Sequence, residues 1–428
     1  MTAVSDFAAR NRRWNIAALG IDFGLFMAGL SFISSATVLP AFAASLGAST
    51  LVIGAIPAVM TVGWFLPPLF AAAHTERLAE KLPFIMRWTA WERIPVAVFA
   101  LVAFFVTERA PHVTLTLLLV MLLLITSVGG MLMPAWLDLV AHAVPTRLRG
   151  RFFGLSSFAG TIGGLGASAL TAWALSALPS ATAYALCFGC AGLAMGISWI
   201  ALAVVREPPA TMAPAGADFW MHLGSLPALL RRDRNFTLFL AARVLSFGGS
   251  IAAGFFTVYA LRVLRAPESD VGVFTALLVT GQMTGLLALG WIADRCGHRR
   301  VIVIGMVASI AMNVVALTAV GVGGFPAVFG LYGFFNAAIQ VSALNVALEF
   351  APSAEQRPTY VGIERTLLAP FGFGLPLLGG HLVDVIGYRA VFGLGIVFGI
   401  ACVVMLFFVR DPRHQRPERL STTALTTS

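Results

Sequence analysis

Long apolar stretches recur along this chain, separated by short polar segments rich in arginine, glycine and proline. An α-helix needs about 20 residues to cross the roughly 30 Å hydrocarbon core of a bilayer. The pattern therefore predicts twelve membrane-spanning helices: 16–41, 50–73, 84–106, 113–139, 152–178, 183–205, 236–261, 271–293, 301–322, 327–351, 359–386 and 389–409. The segments between them are too short for a sizeable soluble domain.

The composition supports a membrane protein. Of the 428 residues, 59% are hydrophobic and only 11% are charged, whereas a soluble domain has about 25% charged residues. A protein surrounded by water could not bury this much apolar surface. Cys187 and Cys190 form a C-x-x-C within a predicted span, so we expect them to pack as small apolar residues rather than to form a redox or metal site.

The net charge of +9 suggests nucleic acid at first, but the distribution of the basic residues excludes it as a partner. If the N-terminus is inside, 20 of the 28 lysines and arginines fall in inner segments and 4 in outer segments. This positive-inside bias predicts a multi-pass protein of the cell membrane with both termini cytoplasmic. The stretch from Arg10 to "AFA" at 41–43 resembles a secretory signal, but it is too long and contains Asp22, so we expect a retained first helix.

The longest polar interruption falls between the sixth and seventh predicted spans. Its segment "FWMHLGSLPALLRR" has the pattern of an amphipathic helix at the inner membrane surface. The sequence therefore predicts an N-terminal six-helix bundle, a cytoplasmic linker, a C-terminal six-helix bundle and a cytoplasmic tail, at 1–205, 206–235, 236–410 and 411–428.

Landmarks recur at a constant spacing in the two predicted bundles. Gly54 and Gly272, each after the first outer loop of its half, are 218 residues apart. The pairs 76–77 (Glu-Arg) and 294–295 (Asp-Arg), at the ends of the second and eighth spans, have the same spacing of 218. These landmarks predict two bundles of similar structure, an arrangement on which alternating access is often built.

Residues 290–300, "GWIADRCGHRR", resemble the signature loop of the major facilitator superfamily, G-x-x-x-D-R-x-G-R-[KR]. The matching residues are Gly290, Asp294, Arg295, Gly297 and Arg300. The first copy of the loop is degraded, with Ala72 in place of glycine. The resemblance implies an all-α integral membrane fold of twelve transmembrane helices in two pseudo-symmetric six-helix bundles. It also implies a central cavity lined by the first, fourth, seventh and tenth spans.

The signature loop has chemistry of its own. Gly290 would permit close helix approach, and Asp294 could cap a neighbouring helix or pair with an arginine. With its basic residues at the anionic inner leaflet, the loop could latch the two bundles in one state and release them in another. Alternatively, it is a basic turn that only fixes topology.

Polar residues near the middle of the spans are candidates for the substrate cavity: Ser31, Ser34, Ser246, Ser250, Gln282, Asn336 and Gln340. Asn336 and Gln340 are four residues apart and therefore share a helix face. Each of these side chains could equally form a hydrogen bond between helices.

Charged residues within spans are costly and normally pair. Those of this chain form a layer toward the inner side: Asp22, Glu92, Arg93, Arg243, Glu364 and Arg365. Glu92 and Arg93 are adjacent and point about 100° apart on a helix, so we expect both to find partners on other helices. The layer could be a static ion-pair network or gate. Alternatively, one carboxylate carries protons, with Asp22 the first candidate and Glu92 the second.

The sequence thus predicts a secondary active transporter of a small solute that works by alternating access. Proton-coupled efflux of a drug-like or hydrophobic compound is the specific hypothesis. A receptor or scaffold that kept this fold is the alternative, based on the degraded first loop. We expect a monomer with a solute, protons and membrane lipid as partners, without cofactor or metal, and not an enzyme, because P-loop, H-E-x-x-H and G-x-S-x-G motifs are absent.

Overall fold

The computed structural model describes residues 2–76, 78–207, 229–351 and 357–410. The described residues form helices joined by short turns, without β-strands. The helices are α1 (Thr2–Phe32), α2 (Val38–Ser45), α3 (Thr50–Phe65), α4 (Pro67–Glu76), α5 (Leu82–Phe105), α6 (Pro111–Ala143), α7 (Thr146–Ala177), α8 (Ser180–Ala203), α9 (Arg234–Gly249), α10 (Phe256–Arg262), α11 (Asp270–Cys296), α12 (His298–Thr318), α13 (Ala327–Phe350), α14 (Arg357–Ile386) and α15 (Tyr388–Phe408).

Three of the predicted spans are each built from two helices. The first span comprises α1 and α2, the second α3 and α4, and the seventh α9 and α10. The second span changes at Leu66, directly before Pro67, because proline lacks a backbone N–H and restricts the residue before it. Gly248 and Gly249 end α9, which is consistent with the low helix propensity of glycine. The predicted first, second and seventh spans, 16–41, 50–73 and 236–261, are therefore each interrupted.

Eleven helices in the described part of the chain are long and apolar enough to cross a membrane. The seventh predicted span is not among them because its break leaves a 16-residue helix, α9, and a 7-residue helix, α10. Large apolar side chains such as Leu155, Leu287 and Phe407 are 67–70% exposed and face outward, as expected for residues in lipid. The chain is a multi-pass membrane protein.

The two halves of the chain pack their spans in the same pattern. In the first half, α1 packs against α7 and α8, α5 packs against α6 and α8, and α3 packs against α6. In the second half, α9 packs against α14 and α15, α12 packs against α13 and α15, and α11 packs against α13. Each of these contacts in the first half thus has its counterpart in the second, as expected for a repeat. The exact boundaries of the two bundles stay a prediction.

Helices α3 and α7 of the first half contact α14 and α11 of the second. The two glycines of the repeat, Gly54 and Gly272, lie at these contacts. A methyl group on Gly54 would stand 2.4 Å from the carbonyl oxygen of Pro376, and one on Gly272 would stand 2.5 Å from that of Ser168. Both positions therefore need glycine, because any side chain would separate the halves.

The turns of the helical array lie on two sides. The arginine-rich side carries the turns at 78–81, 144–145 and 297, whereas the arginine-poor side carries those at 46–49, 178–179 and 263–269. Most of the linker, with the first ten residues of the predicted amphipathic helix "FWMHLGSLPALLRR", and the tail lie outside the described residues.

Candidate functional site

Two oppositely charged side chains are bonded inside the first half. Arg93 Nη2 on α5 lies 2.9 Å from Asp22 Oδ1 on α1, and the two residues are 5% and 2% exposed. Ser198 of α8 donates to the same oxygen at 2.7 Å, and the Trp136 indole of α6 donates to Asp22 Oδ2 at 3.0 Å. Asp22 is therefore bonded by three other helices. Such a buried pair keeps both charges compensated.

Glu92 is buried next to this pair, but no cation is bonded to it. The residue is 8% exposed, and Thr89 Oγ1 donates to its Oε2 at 3.1 Å. Among the described residues it forms no ion pair. Thr89 is on the same helix, so the expectation of a partner on another helix is wrong for Glu92, although it is confirmed for Arg93. Adjacent side chains on a helix point about 100° apart, so Arg93 faces α1 whereas Glu92 faces α6.

A pocket of about 70 Å³ lies beside Glu92. Aromatic rings form much of its wall: Phe23, Phe26, Trp64 and Trp136. Gly129 of α6 faces the carboxylate, and a methyl group there would stand 2.5 Å from Glu92 Oε1 and 3.0 Å from the Trp64 ring. The missing side chain at Gly129 therefore makes room for both groups.

A second buried ion pair lies in the second half. Arg243 Nε on α9 is 3.1 Å from Glu364 Oε1 on α14, with both residues 4–5% exposed. Arg243 Nη1 also donates to Ser246 Oγ at 3.0 Å. The adjacent Arg365 points elsewhere, and its guanidinium lies 5.7 Å from the centre of the Phe65 ring on α3. The predicted charged layer thus contains two ion pairs, each within one half, rather than ion pairs across the halves.

A larger cavity of about 180 Å³ lies between α3 and helices α9, α13 and α14. Three of the predicted cavity residues line it: Ser246, Ser250 and Asn336. The rest of the wall is mostly apolar or aromatic, with Phe247, Phe255, Tyr332 and Phe335. Because Pro57 and Thr61 of α3 complete it, the cavity is bounded by both halves of the chain.

The other predicted cavity residues lie outside both cavities. Gln282 Nε2 donates to Gln340 Oε1 at 3.3 Å between α11 and α13, at an exposed position. Ser31 donates to the carbonyl oxygen of Met27 on its own helix at 3.2 Å. Ser34 lies in the break between α1 and α2. These side chains form hydrogen bonds within or between helices, or lie in a turn. Their positions therefore do not indicate a contact with substrate.

The two glycines of the signature loop differ in what they do. Gly297, between α11 and α12, has φ +89° and ψ 150°, a conformation that is open almost only to glycine. In contrast, a methyl group on Gly290 would meet open space. The prediction that Gly290 permits close helix approach is therefore wrong, because no neighbouring helix reaches it.

Three charged residues of the signature loop, Asp294, Arg295 and Arg300, are exposed. Arg295 stacks on Trp291, with its guanidinium carbon 3.9 Å from the ring centre. Asp294 has no ion pair or hydrogen bond with any other described residue, so the expected cap or arginine partner is not seen. The latch between bundles stays a prediction, and in this structure these residues do not hold the halves together.

Hydrogen bonds join the halves on the arginine-poor side. Thr257 Oγ1 of α10 donates to the carbonyl oxygen of Ala36 at 2.8 Å, and the hydroxyls of Thr37 and Thr275 are 2.7 Å apart. Within the part of the chain that the structure describes, the hydrogen bonds between the halves all lie toward this side. The space between the halves is therefore closed on the arginine-poor side.

Arg262, at the end of α10, makes the most extended of these contacts. Its Nη2 donates to the carbonyl oxygens of Ala44 at 3.1 Å and Ala48 at 3.0 Å. Ala44 lies in the last turn of α2 and Ala48 in the turn that follows it, and a cation is favourable near the C-terminal end of a helix. Arg262 of the second half thus holds α2, the outer helix of the first span, against α10.

Comparison with known proteins agrees with the fold and with the signature loop. Residues 238–426 match the family model described as Major Facilitator Superfamily. A point mutant of the nucleoside transporter NupG has a similar structure, with a TM-score of 0.71, 14% sequence identity, and coverage of 91% of this chain and 99% of that one.

The second half of the chain thus matches the superfamily's model, and the whole chain shares the fold of a nucleoside transporter.

Two curated proteins are similar to parts of this chain. The tetracenomycin C resistance and export protein of Streptomyces glaucescens is 30% identical over 158 residues, which are 36% of this chain and 28% of that protein. The cis,cis-muconate transport protein of Acinetobacter baylyi is 28% identical over 175 residues, 38% of this chain and 40% of that protein. The matches therefore span less than half the length of these relatives.

In each half of the chain, an asparagine that sequence reasoning missed joins the first helix to the residues that follow the last helix. Asn15 Nδ2 donates to the carbonyl oxygen of Arg206 at 2.8 Å, and its Oδ1 accepts from the Arg206 N–H at 3.0 Å. Asn235 makes the same two bonds with the backbone of Arg410, both at 2.8 Å. A signal existed in the sequence, because V-R-[ED]-P occurs at 205–208 and at 409–412.

Proposed function

We propose that this chain is a proton-coupled exporter of small hydrophobic compounds. The observation that carries the proposal is Glu92, a carboxylate that is 8% exposed, lies beside a pocket and has no ion pair among the described residues. An ionised carboxyl group in this position is costly. A proton on Glu92 removes the unpaired charge, so binding and release of that proton can accompany a change of environment.

The orientation follows from the distribution of charge. With the arginine-rich side in the cytoplasm, both termini are cytoplasmic and the protein sits in the cell membrane. The bonds of Arg262 and Thr257 then close the outer side. This state accepts a solute from the cytoplasm, which is the first step of export by alternating access.

Glu92 replaces Asp22 as the first candidate for the proton carrier. Asp22 accepts hydrogen bonds from three other helices and is paired with Arg93. A proton on Asp22 would remove the charge of the carboxylate to which Arg93 is bonded. We therefore assign the Asp22–Arg93 pair to holding the helices of the first half together, and the titrating role to Glu92.

The solute is inferred from the larger cavity. Its aromatic residues, including Phe247, Tyr332 and Phe335, suit an apolar ring system, and Ser250 and Asn336 offer hydrogen bonds. The name of the Streptomyces relative, which includes export, supports outward transport. That relative and the muconate transport protein supply the first two solutes to test.

Flux through the purified protein tests the proposal. Protein reconstituted in liposomes is given a pH gradient, and movement of tetracenomycin C and of cis,cis-muconate is followed. We expect gradient-driven flux of tetracenomycin C, whereas cis,cis-muconate, a dicarboxylate, tests whether an anion is carried instead. Glu92→Gln should abolish the dependence on the gradient while downhill exchange continues, whereas the matched control Glu108→Gln, which removes an exposed carboxylate, should behave as wild type.

Two outcomes would contradict this function. Gradient-driven flux that is unchanged in Glu92→Gln would exclude Glu92 as the carrier. Folded wild-type protein that moves neither these solutes nor any compound that raises its unfolding temperature would favour a receptor or scaffold.

A further inference from the structure

We propose that the pocket beside Glu92 is a binding subsite for an organic ammonium ion. In this subsite the Glu92 carboxylate is the counter-ion and the rings of Trp64 and Trp136 are the walls. The inference rests on the proposed function, since it names the class of solute that the exporter carries, and it goes beyond it by assigning a site.

The charged side chains that line the pocket carry one net negative charge. The charged residues among those lining it are Asp22, Glu92 and Arg93. Arg93 is engaged by Asp22 at 2.9 Å, and its Nη1 points to the carbonyl oxygen of Met195 at 3.5 Å. Among the residues that the structure describes, only Thr89 donates to Glu92. A bound monocation would therefore make the group of three charges neutral.

The walls are suited to a cation that carries apolar substituents. The rings of Phe23 and Trp136 stack with centres 5.6 Å apart, and Trp64 closes the side next to Gly129. Aromatic faces attract an ammonium group through the ring quadrupole, and most strongly when the group is desolvated. Arg93 already shows this preference, because its guanidinium lies 5.6 Å from the centre of the Phe26 ring.

A metal ion fits this pocket poorly. Ca²⁺ and Mg²⁺ need six or more oxygen ligands, and transition metals need several His, Cys or carboxylate groups. Among the described residues, no group of three or more His, Cys, Asp or Glu side chains could hold a metal. The oxygens of Glu92, with rings around them, suit an ion whose surface is mostly carbon.

The pocket has a route to its surroundings. Met133 lies one helical turn after Gly129 on α6, on the same face, and is 40% exposed while lining the pocket. A side chain that is both exposed and part of the wall marks the open end. The volume of about 70 Å³ accommodates a small ammonium head group, with the rest of a larger molecule extending past Met133.

Equilibrium binding to the purified full chain tests the subsite. The probe is benzyltrimethylammonium, whose charge does not depend on pH, and its neutral isostere is neopentylbenzene. We expect calorimetry to show saturable binding of the cation only. Glu92→Gln should weaken it on the order of tenfold or more. Gly129→Ala should weaken it as well, because the added methyl group occupies the space of the Glu92 oxygen, whereas Glu108→Gln should leave it unchanged.

A second measurement avoids variants that fail to fold. Dicyclohexylcarbodiimide modifies buried carboxyl groups, and mass spectrometry of the wild-type protein locates the modification. We expect benzyltrimethylammonium to protect Glu92 and the neutral isostere to leave it reactive. Reaction at Glu92 without protection would show a proton site only and would overturn the subsite.

Further outcomes separate this inference from the proposed function. Equal binding of cation and isostere, or unchanged binding in a folded Glu92→Gln protein, would overturn the subsite. If pH-driven flux of a neutral solute persists in either case, the subsite fails while the exporter stands. If neither binding nor flux is found, both fail.

Discussion

The contact of Arg262 with the end of α2 makes a quantitative prediction about the balance of conformations. Its guanidinium donates to the carbonyl oxygens of Ala44 and Ala48, and these bonds cannot persist when the two halves separate on the arginine-poor side. A hydrogen bond to a charged group contributes about 1.5–3 kcal/mol. The site is part-buried and both bonds use one nitrogen, so we take about 2 kcal/mol in total, which corresponds to a roughly 30-fold change in an equilibrium constant.

Replacing Arg262 by glutamine should therefore shift the protein toward the state that is open on the arginine-poor side. Thr275 is 1% exposed at the closed contact between the halves. We would place Thr275→Cys in a background without the four native cysteines. The rate of labelling by a membrane-impermeant thiol reagent then reports the open fraction, and Arg262→Gln should raise it by one to two orders of magnitude if opening precedes labelling.

The matched control is Arg389→Gln, which removes the same charge from an exposed position on the same side. Its labelling rate should stay near that of the parent protein. Arg262→Lys keeps the charge with a compact ammonium group and should fall in between. Equal labelling of Arg262→Gln and Arg389→Gln would refute the reasoning, because the bonds to α2 would then contribute nothing to closure.

Three further predictions concern stability, each measured as the midpoint of thermal unfolding in detergent. Asn235→Ala removes both bonds to the last span and should destabilise by about 1–2 kcal/mol; an unchanged midpoint would mean that the contact is dispensable. Asp22→Asn leaves the Arg93 charge buried without its partner and should cost about 3–5 kcal/mol. Adding Arg93→Met should recover most of that loss, and a double variant no more stable than the single would rule out the pair as its cause. Gly297→Ala should cost about 1–3 kcal/mol because of its positive φ, while Gly290→Ala should be neutral; equal effects of the two would contradict the backbone argument.

Much of the fold can be predicted from local features of the sequence. The fraction of charged residues and the length of the apolar stretches are enough to predict spans in lipid. The spacing of Gly54 and Gly272 indicates the repeat, and the structure places both glycines at contacts between the halves. The resemblance of 290–300 to the signature loop indicates the same family as the model that matches the second half. These predictions depend on how each segment interacts with its solvent, or on a pattern carried by consecutive residues.

The candidate site depends on partners that lie far apart in the sequence. Glu92 and Arg93 are adjacent charged residues in the same predicted span, yet Arg93 bonds Asp22 whereas Glu92 faces Gly129. The polar residues proposed for one cavity separate in the same way, since Asn336 lines it and Gln282 bonds Gln340 outside it.

The sequence by itself thus determined that the chain crosses a membrane repeatedly, in two similar halves, and that charged residues lie within its spans. Only the tertiary structure decided which of those charges are compensated, where the spans break, and on which side the halves are fastened. The physical reason is that hydrophobicity is a property of each segment, whereas an ion pair or a pocket depends on the rotation and depth of helices relative to one another.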